Sequence, residues 1–173
     1  MKELENNQWL EDQSYKVDRL YSDGNFTECK RILLDLLEQE PGYGRAHYQL
    51  GNLYYMKLDE YAKAEYHLKL AMKFAPKFAS SYCTYLYMLN YLNRHEEVVR
   101  HAQKALKIPG VSRFTVYHQL GKSCEKARLF SEAKQAYKNA QFATCDESEI
   151  NMAINAIKRI RKKRIMKWKR LLI

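Results

Sequence analysis

Histidine and cysteine are the residues of this sequence best suited to acid–base, nucleophilic or metal chemistry. The histidines are His47, His67, His95, His101 and His118. No two of them have the four-residue spacing that places both imidazoles on one helical face, and the sequence has no glycine-rich phosphate loop. The four cysteines, Cys29, Cys83, Cys124 and Cys145, form no C-x-x-C pair, which argues against a zinc site and a disulfide framework. The sequence therefore predicts no catalytic residue, no cofactor and no metal, and we interpret the chain as a protein that is not an enzyme.

Tyrosine is the more informative residue type, with 14 copies in 173 residues. A tyrosine ring buries a large apolar area at low entropic cost while its hydroxyl remains able to hydrogen-bond, so tyrosines are favoured at binding surfaces. Each could equally pack between neighbouring helices. The elements that carry the tyrosines decide between the two roles.

The positive charge of the chain is concentrated at its C-terminal end. The formal net charge is +10, and no acidic residue follows Glu149. The nine cations after that position are Lys158, Arg159, Arg161, Lys162, Lys163, Arg164, Lys167, Lys169 and Arg170, and without them the body has 21 basic and 20 acidic residues. Two interpretations stay open: a solvated cationic face, or a contact with nucleic acid, an anionic membrane surface or an acidic protein. The candidate contact residues are Arg161, Lys162, Lys163, Arg164, Lys167, Lys169 and Arg170.

Composition limits the fold classes. With 46% hydrophobic residues the chain can bury a core, whereas three prolines and six glycines are few for a turn-rich β fold. No apolar run approaches the roughly 18 residues of a membrane span. The first residues also lack the charged start and apolar stretch of a signal peptide. These features predict a cytoplasmic location.

The sequence repeats with a period of 34 or 35 residues. Small residues recur at Cys29, Ala64, Val98 and Ala133, and aromatic rings recur three residues earlier at Phe26, Tyr61, His95 and Phe130. A third series is Leu20, Tyr54, Leu89 and Cys124. Within each period the apolar spacing of three and four residues predicts two helices. We predict helices near 4–22, 25–39, 44–57, 60–74, 78–92, 94–107, 112–127, 130–143 and 147–170.

Paired helices with this period resemble the tetratricopeptide repeat. The best-matching unit runs from His47 through Leu50-Gly51, Tyr54, Ala64, Leu68 and Ala71 to Pro76. The resemblance implies an all-α, right-handed α-solenoid of about four helix-turn-helix units, near 9–42, 43–77, 78–111 and 112–146. These units make up a repeat domain over 1–146. A basic amphipathic helix over 147–173 is expected to cap it.

The resemblance also implies a concave groove lined by the first helix of each pair. The candidate groove residues are Tyr48, Asn52, Tyr55, Tyr87, Asn90, Tyr91, His118 and Lys122. Tetratricopeptide domains that bind chaperone C-termini clamp a carboxylate with cationic and amide side chains. Asn52 matches that pattern, but Tyr48, Thr84, Thr115 and Gln119 stand where Lys, Asn, Lys and Arg are needed. We therefore expect no chaperone C-terminal carboxylate as partner.

Two functional hypotheses follow. The first is a non-catalytic scaffold or adaptor that binds a peptide or a partner helix in the concave groove. The alternative is a helical repeat protein that binds nucleic acid or an anionic surface through its basic C-terminal helix. The nearly neutral body argues against nucleic-acid binding by the repeats themselves, because that would need a basic groove.

Overall fold

The computed structural model describes the backbone of residues 2–171 and the side chains of residues 8–165. The described backbone forms nine α-helices and no strand: α1 Lys2–Ser22, α2 Phe26–Gln39, α3 Gly44–Met56, α4 Tyr61–Phe74, α5 Ala79–Tyr91, α6 His95–Ala105, α7 Arg113–Lys126, α8 Phe130–Phe142 and α9 Glu147–Leu171. Each helix begins and ends within two residues of its predicted bounds. The predicted all-α class is confirmed.

The turn inside each helix pair places one residue in the left-handed region each time it occurs. Its left-handed residue is Gly24, Asp59, Asn93 or Arg128, with φ of 78°, 53°, 57° and 59°. In each turn the next backbone N–H donates to a carbonyl at the end of the preceding helix, that of Leu20, Tyr54, Leu89 or Cys124, at 2.9–3.0 Å. These carbonyls belong to one of the recurrent series found in the sequence. The period therefore repeats a specific turn as well as a hydrophobic pattern.

The chain divides into two compact units, residues 1–84 and 85–173, and the boundary falls within α5. In the first unit the closest helix pair is α3 with α4. A Cβ atom added to Gly51 would lie 2.9 Å from Leu68 Cγ and 3.2 Å from the Ala64 carbonyl oxygen. Only glycine permits this approach, so the Leu-Gly pair of the repeat fixes how closely α3 and α4 pack.

In the second unit α7 packs against α8 in the same way, and α9 packs against α8. A Cβ atom added to Gly121 would lie 2.7 Å from the Tyr137 ring. The apolar cluster below this contact consists of Cys124, Ala133, Tyr137, Ala156, Ile157 and Ile160. Ala153 joins a second cluster with Phe114 and Ala140. The first half of α9 is therefore core. The predicted division of the chain at residue 146 stays a prediction.

Candidate functional site

A polar seam joins α5 to α7 in the second unit. The Asn90 side-chain amide donates to the carbonyl oxygen of Gln119 at 2.8 Å and to its side-chain oxygen at 3.1 Å. Lys126 Nζ donates to the Asn90 carbonyl oxygen at 2.6 Å and to Asn93 Oδ1 at 2.9 Å. Asn90 and Gln119 are 3% and 1% exposed. We call this set of bonds the α5–α7 seam.

Three of the predicted groove residues border this seam and are exposed. Tyr87 and Tyr91 lie three residues before and one residue after Asn90, on the same side of α5, and are 43% and 59% exposed. Lys122 lies on α7 between Gln119 and Lys126 and is exposed. The seam therefore holds in place two tyrosines one turn apart, with a lysine on the neighbouring helix.

Two other predicted groove residues of this unit have packing roles. Asn90 is buried and donates within the seam, which corrects the prediction that it is offered to a partner. The His118 ring stacks on Phe114 at 5.3 Å and lies 5.5 Å from the Tyr137 ring. Burial lowers the pKa of His118, and the charges of Lys122 and Arg159 lower it further. His118 is thus a half-buried neutral ring at neutral pH.

The remaining predicted groove residues lie on α3 of the first unit and are half-buried. The Tyr48 ring meets Phe78 edge-on at 5.0 Å, and the Tyr55 ring lies 6.4 Å from that of Tyr61. Asn52 borders a cavity of about 110 Å3. These tyrosines combine packing with partial exposure.

Two histidines in the first unit form a pair in which His47 is buried and His67 is half-buried. His47 Nδ1 lies 3.0 Å from His67 Nδ1, and His47 Nε2 lies 3.0 Å from the Pro41 carbonyl oxygen. That oxygen can only accept, so His47 Nε2 carries the proton and His67 Nδ1 donates to His47. Burial, followed by the charge of His47, lowers the pKa of His67 to about 4. Among the described residues no group of three metal-ligating side chains forms. The His47 ring also stacks on Phe74 at 5.6 Å, so the pair contributes to the packing of this unit.

A charged cluster that sequence reasoning missed joins α7, α8 and α9. The buried Glu125 carboxylate accepts from Tyr137 Oη at 2.8 Å, from Arg159 Nε and Nη2 at 2.8 and 2.7 Å, and from Lys163 Nζ at 2.7 Å. Burial alone would raise the pKa of Glu125, but the hydrogen bonds from these three residues outweigh it and hold the pKa at about 2. Burial, followed by the hydrogen bond to the same carboxylate, raises the pKa of Tyr137. We call these four residues the Glu125 cluster.

The Glu125 cluster includes one residue of the predicted basic contact. Lys163 pairs with Glu125 while its side chain stays 46% exposed, and Arg161, Lys162 and Arg164 are exposed as well. The side chains of Lys167, Lys169 and Arg170 lie outside the described residues. Arg159 and Lys163 are four residues apart on one helical face, but no residue near them in the sequence indicates that Glu125 is their partner.

Comparison with solved structures identifies the architecture. Residues covering 93% of this chain superpose on 71% of PilF of Pseudomonas aeruginosa, with a TM-score of 0.80 and 16% identity. PilW, a widely conserved type IV pilus biogenesis factor, matches 90% of this chain over 76% of its own length, with a TM-score of 0.72 and 18% identity. MamA of Desulfovibrio magneticus RS-1 matches 88% of the chain over 93% of its own, with a TM-score of 0.66 and 13% identity. These are tetratricopeptide-containing proteins. The chain has the tetratricopeptide-repeat fold.

Sequence comparison alone does not reach this result: no protein-family model and no curated protein matches the chain. Within the tetratricopeptide fold, α3, α5 and α7 are first helices of their pairs, so all eight predicted groove residues lie on first helices. The structure separates them into exposed residues beside the α5–α7 seam, half-buried residues on α3, and two residues used in packing. No helix in the described part of the chain is both long and apolar enough to cross a membrane.

Proposed function

We propose that the chain is a non-catalytic protein-interaction scaffold that binds a peptide or a partner helix across Tyr87, Tyr91 and Lys122. The observation that supports this most strongly is the pair of exposed tyrosines beside a polar seam whose Asn90–Gln119 bonds are buried. Their helix is fixed from below by the Asn90–Gln119 bonds, so the rings are preorganised and little further ordering is needed on binding. Lys122 adds a charge-assisted donor for a carbonyl or carboxylate of the partner.

The burial of Gln119 in the α5–α7 seam also limits the class of partner that can bind here. Gln119, which stands where a carboxylate-clamping domain needs a cation, is 1% exposed and holds Asn90. This position therefore has no cationic donor for a terminal carboxylate. An internal peptide segment or a helix that buries apolar side chains against the two tyrosine rings fits better.

Binding by matched variants tests this proposal. The variant with Tyr87→Ser and Tyr91→Ser is compared with a control carrying Tyr15→Ser and Tyr66→Ser, whose tyrosines are 56% and 62% exposed elsewhere on the molecule. Proteins are captured with each variant from a nuclease-treated lysate of the native cells. We expect the specific partners to be lost with the first variant and retained with the control. Equal capture by both variants would contradict the proposed surface.

The second candidate function is polyanion binding by the basic end of α9. It is favoured by the exposure of Arg161, Lys162 and Arg164, which follow the last acidic residue of the chain. Changing the three to glutamine should weaken binding of a single-stranded RNA or of anionic vesicles and reduce the salt dependence, by about 0.7 in the log–log slope for each lost phosphate contact on RNA. An unchanged slope would exclude these residues as the contact.

A further inference from the structure

A cleft runs between α8 and α9 on the second unit and shares no residue with the surface of Tyr87, Tyr91 and Lys122. Its volume is about 250 Å3, and its lining consists of Lys138, Gln141, Phe142, Ile154, Ile157, Lys158 and Arg161. We call it the α8–α9 cleft. Apart from Arg161, none of these residues belongs to a surface considered above.

The floor and one wall of the cleft are apolar. Ile157 is 8% exposed and Ile154 is half-buried, whereas Phe142 at the end of α8 is 83% exposed. A single exposed hydrophobic residue is ordinary on a protein surface. An exposed aromatic ring beside a concave aliphatic floor is different, because a partner side chain placed there can contact both at once.

The rim of the cleft is cationic on both helices. Lys138 lies on α8, while Lys158 and Arg161 lie on α9, and all three are exposed. Among the lining residues, all of which are described, none is acidic. The opposite side of α9 differs, because Arg159 and Lys163 there are paired with Glu125. The charge on the cleft side is therefore left for a partner to neutralise.

We infer that the α8–α9 cleft binds an acidic amphipathic helix of a partner protein. An apolar side chain of that helix would lie on Ile154 and Ile157 against Phe142, and its carboxylates would face Lys138, Lys158 and Arg161. A cleft between two helices with an apolar floor suits the helix-in-groove mode of recognition. The cations on both rims determine the sign of the partner's charge. This inference is independent of the tyrosine surface.

The shape of the cleft favours a protein over the other anionic partners. A nucleobase needs rings to stack on, and Phe142 is the single aromatic residue among the lining residues, all of which are described. A membrane surface would contact the rim and leave the concave volume beneath unfilled. An aliphatic side chain carried on a helix fills the volume and reaches the rim at the same time.

The test uses the full chain and a defined probe. The probe is a fluorescein-labelled peptide of about 16 residues, or four helical turns, with leucines on one face and glutamates flanking them. We expect Phe142→Ser and the pair Lys138→Glu with Lys158→Glu each to weaken its binding by about tenfold or more in fluorescence anisotropy. The charge control is Lys104→Glu with Lys107→Glu, which changes the net charge equally on exposed positions outside the cleft. The aromatic control is Tyr66→Ser.

Each outcome decides the inference. Weakening by the cleft variants with less than about twofold change in the controls supports it. Equal weakening by Lys104→Glu with Lys107→Glu, no effect of Phe142→Ser, or no binding of the probe to the unmodified chain overturns it. A single-stranded RNA and vesicles of phosphatidylcholine with phosphatidylserine are measured in parallel. If either depends on the cleft residues while the peptide does not, the protein partner is wrong. Should the glutamate pair fail to fold by circular dichroism, Lys138→Gln with Lys158→Gln replaces it.

Discussion

The helix pairs α3–α4 and α7–α8 solve the same packing problem with different residues. In both, a glycine on the first helix receives a large side chain from the second. Gly51 receives Leu68, whereas Gly121 receives the ring of Tyr137. Leu68 is entirely apolar and needs no hydrogen-bond partner. Tyr137 brings a hydroxyl into a fully buried position, and a buried donor without a partner is costly.

The hydroxyl of Tyr137 accounts for the charged residues around it. It donates to Glu125, and the buried carboxylate of Glu125 in turn binds Arg159 and Lys163 from α9. The α7–α8 pair therefore depends on α9 for electrostatic as well as apolar reasons. The α3–α4 pair has no buried carboxylate among its described residues. The polar side chains that meet between its two helices include the neutral His47 and His67. Through Glu125, the Tyr137 side chain thus links Arg159 and Lys163 of the basic end to the core.

Among the changes that test this comparison, removing α9 should cause the largest loss of stability. A chain that ends at Asp146 loses Ala156, Ile157 and Ile160 from the core and leaves Glu125 without its cations. We expect a loss on the order of 5 kcal/mol or more, with aggregation or loss of cooperative unfolding of the second unit. Thermal unfolding followed by circular dichroism measures it.

Two longer chains serve as controls for that truncation. A chain that ends at Ile160 keeps the apolar cluster and Arg159 but loses Lys163, so we expect a loss of about 1 kcal/mol. A chain that ends at Arg164 keeps all described members of the Glu125 cluster and should unfold like the full chain. If ending at Ile160 is as damaging as ending at Asp146, residues beyond 160 contribute to the core.

Breaking the Glu125 cluster should have the next largest effect. Glu125→Ala leaves the Tyr137 hydroxyl buried without an acceptor and should cost about 3 kcal/mol in the free energy of unfolding. Tyr137→Phe removes the same hydroxyl, so the double variant should cost less than the sum of the two single variants by about 1–2 kcal/mol. Urea unfolding of the four proteins measures this coupling. Additive effects would show that Tyr137 and Glu125 act separately.

The Glu125 cluster shows why the fold could be predicted from the sequence, whereas the candidate site could be predicted only in part. Helix bounds follow from local spacing and from turn residues such as Asp59 and Asn93, so they could be predicted within two residues. The partners of Glu125 are 12, 34 and 38 residues away, and no local pattern specifies them. Asn90 was misassigned for the same reason, because its burial depends on Gln119 of the following first helix.

The glycine contacts allow a more direct comparison of the two pairs. Gly121→Ala places a methyl group 2.7 Å from the Tyr137 ring, which the Glu125 bond holds in place, and should cost about 2 kcal/mol. Adding Tyr137→Leu makes the pair resemble α3–α4 and should recover little, because Gly51→Ala also meets Leu68 at 2.9 Å. Gly42→Ala, whose nearest neighbour is 3.7 Å away, is the control and should change stability by less than about 0.5 kcal/mol. Thermal unfolding of each variant checks these values, and a stable Gly121→Ala would show that the ring can move.

The smallest expected effects on stability come from the titration of His67 and Glu125. The two residues titrate in different pH ranges, so their effects on the α3–α4 pair and on the α7–α8 pair can be measured separately. Burial lowers the pKa of His67 from 6.5 to about 4, and the hydrogen bonds of the Glu125 cluster lower that of Glu125 from 4.5 to about 2. Both groups bind fewer protons in the folded than in the unfolded state, so both stabilise the fold less as the pH falls. The His67 contribution should be lost between pH 6.5 and about 4 and amount to about 1 kcal/mol after allowance for partial solvent access. The Glu125 contribution should be lost between pH 4.5 and about 2.

Variants of His67 and Glu125 show which residue is responsible for the loss of stability in each pH range. His67→Gln keeps a donor for His47 but does not titrate, so it should reduce the slope of the free energy of unfolding between pH 6.5 and 4 and leave the lower window unchanged. The lowered pKa values of His47 and His118 should leave a smaller slope there. Glu125→Ala should reduce the slope in the lower window only. The measurement is urea unfolding at a series of pH values at constant ionic strength. A His67→Gln profile that keeps the slope between pH 6.5 and 4 would show that the histidine pair is accessible to protons in the folded state and that its burial does not oppose protonation.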